Sequence, residues 1–224
     1  MEKSSEIASG IGQIGEKAFE FIEKLIAAPI MVGTGILTDK IQLYRIKNQV
    51  ELILKVKKLL EERGINVPKQ IPIKDLSTIL EFASFEDEEP MQSNWANLLA
   101  NTVDPDNQFN ACHVFSQILN QISVNEYYIL KYMFSRCFFM SSEDRPYFPR
   151  NEIGKKCETD YRTAMLLIDN LLRLRLIEEE PPKLLNNTRV TYLYEEGENP
   201  TNEIIASDTF RLSQFGVELM RQIS

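Results

Sequence analysis

Apolar side chains recur every three or four residues through the first half of the chain, which is the spacing of amphipathic helices. The longest such segment runs from 38 to 63 without glycine or proline, and Gly64 follows it at the position of a helix C-terminal cap. Shorter segments with the same spacing predict helices over 75–83 and 109–122. The side of the last helix predicted to be buried carries Phe109, Val114, Ile118 and Ile122, and Phe115 and Leu119 widen it. The pattern therefore predicts an N-terminal helical bundle.

Residues 84–106 combine an acidic turn, the only tryptophan and signals for both ends of a helix. Ser84 and Asp87 fit a capping box, which predicts a helix start, and the pair Asp104 and Pro105 predicts its end. One face of this helix would be apolar and is formed by Trp95, Leu98, Leu99 and Thr102. A polar stripe lies beside that face and is formed by Asn94, Asn97 and Asn101. This segment predicts a packed helix with two distinct sides.

The pattern changes after residue 122. Ser123 and Glu126 form a second capping box, and helices are predicted over 127–139, 151–157 and 161–175. A strand at 174–180, a turn at 184–188, a strand at 190–196 and a strand followed by a helix after 208 complete the chain. This order resembles a winged helix-turn-helix. We therefore predict a mainly α protein, with a helical bundle at 1–122 and an α+β winged-helix-like domain at 123–224.

The composition and the net charge limit the classes of binding partner and the cellular compartment that we expect. The 224 residues are 43% hydrophobic and carry a formal net charge of −8, which disfavours nonspecific attraction to nucleic acid or anionic lipid. Three widely spaced cysteines suit a reducing compartment rather than a disulfide framework. No run of 18 apolar residues is present, and the first ten residues lack the apolar core of a signal peptide. A cytoplasmic protein, with possible peripheral attachment at the inner membrane, is expected.

The sequence contains no recognisable catalytic chemistry. His113 is the only histidine and stands beside Cys112, but adjacent helical residues point about 100° apart and do not form a nucleophile and base. No CxxC, HExxH or P-loop spacing occurs, and GIGQIG at 10–15 has the GxGxxG spacing but no preceding strand, which a phosphate-binding loop requires. We therefore predict no catalytic residue, no metal ligand, no cofactor and no small-molecule substrate. The protein is expected not to be an enzyme.

The segment around the tryptophan, together with the preceding IPIKDLSTILEFAS, resembles the abortive infection alpha family of bacterial proteins. The resemblance extends over about residues 37–135. Its most specific positions, also predicted to lie in the core, are Trp95, Ala96, Leu98, Leu99 and Ala100. It implies a role in antiphage defence by abortive infection but supplies no catalytic residue. We therefore expect a defence protein that works through a protein partner or self-association.

A DNA-binding transcriptional regulator is the first alternative function. Its contacts would come from Arg150, Lys155, Lys156 and Arg162 near the second and third helices of the winged-helix-like part. The charge of that part disfavours this function, because residues 124–224 carry 13 basic and 16 acidic side chains, a net of −3. Protein contact therefore suits this part better than DNA contact.

A membrane-perturbing effector is the second alternative. The amphipathic N-terminal segment would present an apolar face to a lipid surface or to another copy. That face is formed by Ile14, Phe21, Ile22, Leu25 and Ile26. The mostly apolar run at 25–37 that follows is too short to cross a bilayer as a helix, and a buried hairpin is the simpler interpretation.

Overall fold

The computed structural model describes residues 21, 40–108, 111–137, 139–156, 158–185, 203–205 and 208–224. Two compact units are present, Met1–Tyr127 with Leu219–Ser224 and Tyr128–Glu218. The described residues are mainly helical and include a small antiparallel sheet in the second unit. The predicted fold class, mainly α with a small β part, is therefore confirmed. The expected domain boundary at residue 122 stays a prediction, although the division between the units follows residue 127.

Four helices form the main part of the first unit: α1 (Lys40–Glu62), α2 (Ile73–Ala83), α3 (Glu89–Val103) and α4 (Cys112–Leu119). Helix α1 ends as predicted, because Gly64 adopts a φ of 72° and its amide donates to the Glu61 carbonyl at 3.0 Å. The amide of Ile65 closes the same turn by donating to Leu60 O at 2.9 Å. Helix α3 packs against α1, α2 and α4 and is the centre of this unit.

The predicted start of α3 is wrong. Ser84 ends α2 instead, where its hydroxyl donates to the Glu81 carbonyl at 2.6 Å. Helix α3 begins at Glu89, with Pro90 in its first turn and no side chain capping it. Proline lacks an amide hydrogen and has a helical φ, so it suits the first turn, where that hydrogen would have no partner. The proline therefore marks the start better than the serine does.

One position on the predicted buried side of α4 is wrong. Phe115 and Leu119, predicted to widen that side, are each 1% exposed, whereas Val114 is 47% exposed. The helix covers only 112–119, and Phe109 lies outside the described residues. Phenylalanine removes more apolar area from water than valine, so the face that contains Phe115 gains more from burial.

The second capping box is confirmed at the start of α5 (Val124–Cys137). The amide and hydroxyl of Ser123 donate to Glu126 Oε2 at 2.6 and 2.8 Å. The amide of Glu126 donates back to Ser123 Oγ at 3.4 Å. This reciprocal pair satisfies amide groups that have no partner within the helix.

The second unit continues through β1 (Phe148–Pro149), α6 (Arg150–Lys156), α7 (Tyr161–Arg173) and β2 (Ile177–Glu179). After these come β3 (Lys183–Leu185), β4 (Glu203–Ile205), β5 (Thr209–Leu212) and α8 (Gln214–Ile223), whose residues from Leu219 onward belong to the first unit. Strand β5 pairs antiparallel with β1 on one side and β2 on the other, and β3 pairs antiparallel with β4. The core of this unit includes Ile153, Ile168, Leu171, Phe210 and Leu212, each at most 1% exposed.

Two local predictions in the second unit are wrong. Lys183–Leu185 is a strand paired with Glu203–Ile205, where a turn was predicted from residue 184. The predicted loop before residue 150 contains β1, whose Phe148 lies opposite Phe210 and is 7% exposed. A two-residue strand has too few positions to show alternation, so only its partner strand reveals it. The strand predicted over 190–196 lies outside the described residues.

Candidate functional site

The five most specific positions of the family resemblance, Trp95, Ala96, Leu98, Leu99 and Ala100, form the signature and lie in the interior of the first unit. Trp95, Ala96 and Leu98 are each 1% exposed, and Leu99 and Ala100 are fully buried. The Trp95 ring lies 6.2 Å from the Phe82 ring of α2, with an angle of 48° between the planes. At this burial the indole packs against neighbouring helices and is not a ligand surface. The signature is therefore structural.

Two of the three asparagines of the stripe on α3 bind the C-terminal end of α8, within the same unit, while Asn94 is 2% exposed and donates to Met91 Sδ at 3.6 Å. Asn97 Nδ2 donates to the Ile223 carbonyl at 3.0 Å, and Asn101 Nδ2 donates to the Gln222 carbonyl at 2.7 Å. Asn107 Nδ2 adds a bond to Gln222 Oε1 at 3.0 Å. The last carbonyls of a helix have no partner within it, so these amides satisfy groups that otherwise need water. The sequence showed the stripe but not its partner.

We expect Asn97→Asp to lower the free energy of unfolding by about 1–3 kcal/mol, because a carboxylate cannot donate to the Ile223 carbonyl. Its negative charge would also face the negative end of the α8 dipole. Urea denaturation followed by circular dichroism measures the change. Asn97→Ala is the matched control and should cost less, since it removes the bond without adding a charge. Equal stability of wild type and Asn97→Asp would contradict this account of the stripe.

The acidic run at 86–89 is part of the connector that α1 holds in place. Asn48 Nδ2 donates to the carbonyls of Ser84 and Glu86 at 3.1 and 2.9 Å. Burial raises the pKa of the Glu86 carboxyl, whose Oε1 accepts the amides of Asp87 and Glu88 at 3.2 and 3.1 Å. Its carboxylate thus closes the turn itself.

Acidic neighbours accompany many lysines of α1. Lys55 Nζ lies 2.8 Å from Glu89 Oε2 of α3. Three further pairs join residues four apart on α1: Lys47 with Glu51, Lys57 with Glu61 and Lys58 with Glu62. Helix α1 carries six basic and three acidic side chains, and this basic bias is therefore largely balanced by nearby carboxylates.

The residues considered for catalysis occupy structural positions. Cys112 is buried, burial raises the pKa of its thiol, and Ser116 beside it donates to the Cys112 carbonyl at 2.8 Å. His113 is exposed on the other side of α4. Burial also raises the pKa of the Cys137 thiol. In the part of the chain that the structure describes, no group of three histidine, cysteine or carboxylate side chains could hold a metal ion.

The four basic residues considered for DNA contact differ in their surroundings. Arg150 Nε lies 2.7 Å from Asp208 Oδ1, and the guanidinium lies 4.9 Å from the centre of the Phe210 ring. With 14% of its side chain exposed, Arg150 is engaged within the second unit. Lys155 and Lys156 are exposed at the end of α6, and Arg162 is exposed in the first turn of α7.

The start of α7 presents a carboxylate to solvent. Asp160 caps the helix, with its Oδ1 accepting the amides of Arg162 and Thr163 at 2.9 and 3.1 Å. These bonds, and first of all the one from the Thr163 hydroxyl, lower the pKa of the Asp160 carboxyl. A DNA phosphate approaching this end of the helix would therefore meet a negative charge.

The exposed side of α7 carries three large apolar side chains. Tyr161 is 65% exposed, Met165 38% and Leu166 66%. Ala164, Ile168 and Leu171 face the interior and are at most 2% exposed. The apolar spacing over 161–175 predicts five inward positions, Ala164, Leu167, Ile168, Leu171 and Leu172, of which Leu167 and Leu172 are half-buried. The outward positions follow from the same helical period, although sequence reasoning did not single them out. Exposed apolar side chains grouped on one helix are typical of a protein contact surface.

The N-terminal face considered for membrane contact lies almost entirely outside the described residues. Ile14, Ile22, Leu25 and Ile26 fall there, and Phe21 is described as helical and 8% exposed. Within the described residues, no helix combines the length and the apolar content required to span a bilayer.

Comparison with known families gives a match to the abortive infection alpha model over residues 44–223. The chain belongs to the abortive infection alpha family. The match continues well beyond residue 135, where the sequence resemblance was expected to end, and includes the second unit from Tyr128 to Glu218. The abortive infection alpha model thus covers both the buried signature and the exposed face of α7. No curated protein and no solved structure matches the chain.

Proposed function

We propose that this chain is a non-enzymatic antiphage defence protein that acts by binding a protein surface through the exposed face of α7. Membership in the abortive infection alpha family supports the defence role. The observation that carries the mechanism is the exposure of Tyr161, Met165 and Leu166 on one helix. In water these side chains leave apolar area uncovered, and a protein partner would cover it.

The positions of the candidate reactive groups support the non-enzymatic part of the proposal. A nucleophilic cysteine requires its thiolate form. Burial raises the pKa values of Cys112 and Cys137 and so favours the protonated thiol. The two are also free thiols, which suits the reducing cytoplasm that we propose as the site of action. Trp95 is 1% exposed and contributes to the core, so its indole offers no surface to a ligand.

The second unit supports a winged-helix-like architecture used for protein contact. A three-stranded sheet in the order β1, β5, β2 accompanies α6 and α7, the two helices of the helix-turn-helix proposal. In a DNA reader, α7 would lie in the major groove and would need cations or amides at its start. Asp160 and Tyr161 occupy that start, and Arg150 is paired with Asp208. These features favour a protein partner over a DNA regulator.

We expect expression of the wild-type protein to lower phage plaquing and Leu166→Glu to restore most of it. Leu166 is 66% exposed, so the charge should disrupt contact while leaving folding intact. Val67→Glu is the matched control, because Val67 is 79% exposed in the first unit and lies outside α7. Plaquing efficiency on a broad phage panel, with protein levels checked by immunoblotting, gives the comparison.

Unchanged plaquing with the wild-type protein across the panel would contradict the defence role. Loss of protection by Val67→Glu as well as Leu166→Glu would contradict the role of α7. A complex with duplex DNA in gel shifts at low salt would favour the regulator, and retention on anionic liposomes in flotation would favour the membrane effector.

A further inference from the structure

We propose that the partner of α7 is α7 of a second copy of this chain, packed antiparallel about a two-fold axis between Met165 and Leu166. This inference rests on the proposed function, in which α7 is the contact surface. It adds the identity of the partner and the register of the pairing.

The face concerned is formed by Arg162, Met165, Leu166 and Asp169. These positions are separated by three, one and three residues, so they lie on one side of the helix. All four are exposed. In the part of the chain that the structure describes, the guanidinium of Arg162 and the carboxylate of Asp169 have no ion-pair partner. A positive and a negative charge thus flank an apolar centre.

Antiparallel pairing of two such helices makes the face complementary to itself. In a two-fold contact, when residue i meets residue j of the partner, residue j also meets residue i. An axis between 165 and 166 places Arg162 opposite the carboxylate of the second copy at position 169, and the reverse pair forms by symmetry. The apolar side chains of 165 and 166 then meet at the centre. Parallel pairing would instead oppose like charges.

The contact should be weak. Two turns of helix form a small patch compared with the roughly 1,600 Å² that a typical stable interface buries. A dissociation constant in the micromolar range is therefore expected. Such an affinity would make assembly depend on the local concentration of the protein.

Sedimentation velocity of the full chain over a range of concentrations tests the pairing. We expect a monomer–dimer equilibrium for wild type and dimerisation weakened by about tenfold or more for Arg162→Asp or Asp169→Arg, which each create two repulsive pairs. An equimolar mixture of these two variants should recover dimers, because both cross pairs then join opposite charges. The double variant Arg162→Asp with Asp169→Arg should also dimerise.

The charge reversals are chosen to preserve folding. An acid at position 162 lies in the first turn of α7, and a base at 169 lies nearer its end, so both agree with the helix dipole. Circular dichroism should give unchanged thermal transitions. Leu166→Glu should abolish dimers, whereas Val67→Glu should leave them intact.

Wild type that stays monomeric at every concentration would overturn the self-association, and so would a mixture of the two variants that stays monomeric. Dimers that survive Leu166→Glu would place the contact elsewhere and would also overturn it. Failure of the proposed function gives a different result: expression of the protein leaves phage plaquing unchanged, while the purified protein still dimerises through α7. Conversely, protection by a monomeric wild type that Leu166→Glu removes would keep α7 as a contact surface and reject the second copy as its partner.

Discussion

Trp95→Ala is expected to lower the free energy of unfolding by about 3–5 kcal/mol, the range for removing a large aromatic side chain from a core. Trp95 is 1% exposed and lies on the helix that packs against α1, α2 and α4. The cavity left by its removal has no access to solvent, and filling it with water is unfavourable. Small domains have roughly 5–15 kcal/mol of total stability. The change therefore removes a large fraction of it, and plaque protection should be lost through misfolding.

The measurement needs a probe other than fluorescence for the variant, because Trp95 is the only tryptophan. Circular dichroism in urea measures the unfolding of both proteins. The change in indole emission as wild type unfolds gives a second probe of the first unit. Trp95→Phe is the control and should cost less, since it keeps an aromatic ring beside Phe82. A Trp95→Ala protein with near wild-type stability would contradict the structural role of the signature.

Features specified by neighbouring residues were predictable from the sequence. Gly64 ends α1, and Ser123 and Glu126 cap α5, because each signal involves groups within one helical turn. The start of α3 was misassigned because Ser84 offers a similar local signal, while Pro90 a few residues later has the stronger backbone constraint. Local rules therefore identified the helix and its end but not its first residue.

Features that depend on distant residues were not predictable. Strand β1 exists because Phe148 pairs with Phe210, and the asparagine stripe has a role because Asn97 reaches a carbonyl 126 residues away. Nothing near either segment identifies its partner. The exposure of Val114 on α4 likewise depends on which side the other helices cover.

The candidate contact face was half predictable. The helical period predicted Ala164, Leu167, Ile168, Leu171 and Leu172 as inward positions, and the first, third and fourth of these are buried. Tyr161 and Leu166 remain on the outside. The local sequence does not determine whether an apolar residue is exposed, because another element could have covered it. The structure was needed to show that none of the described residues does so.

Gly216→Ala is expected to destabilise the second unit by about 3 kcal/mol or more, toward or beyond the upper end of the usual cost of overpacking. A Cβ at this position would lie 2.1 Å from the Leu176 carbonyl oxygen and 2.9 Å from Leu212 Cδ1. The carbonyl cannot rotate away, because it is backbone and accepts a hydrogen bond from the Ser213 amide at 3.0 Å. Alanine favours a helix over glycine by only about 1 kcal/mol, so the clash dominates.

Gly154→Ala provides a matched comparison within the same unit. Its Cβ would lie 3.3 Å from the Ala164 side chain and 3.8 Å from the Thr159 carbonyl oxygen, a tight approach that a small shift of α6 relieves. The gain in helix propensity then offsets the contact, and we expect a change within about 1 kcal/mol. Thermal unfolding by circular dichroism measures both variants. If Gly216→Ala and Gly154→Ala unfold at the same temperature, α8 can move away from Leu176. The close packing of this helix on the chain before β2 then does not limit the stability of the unit.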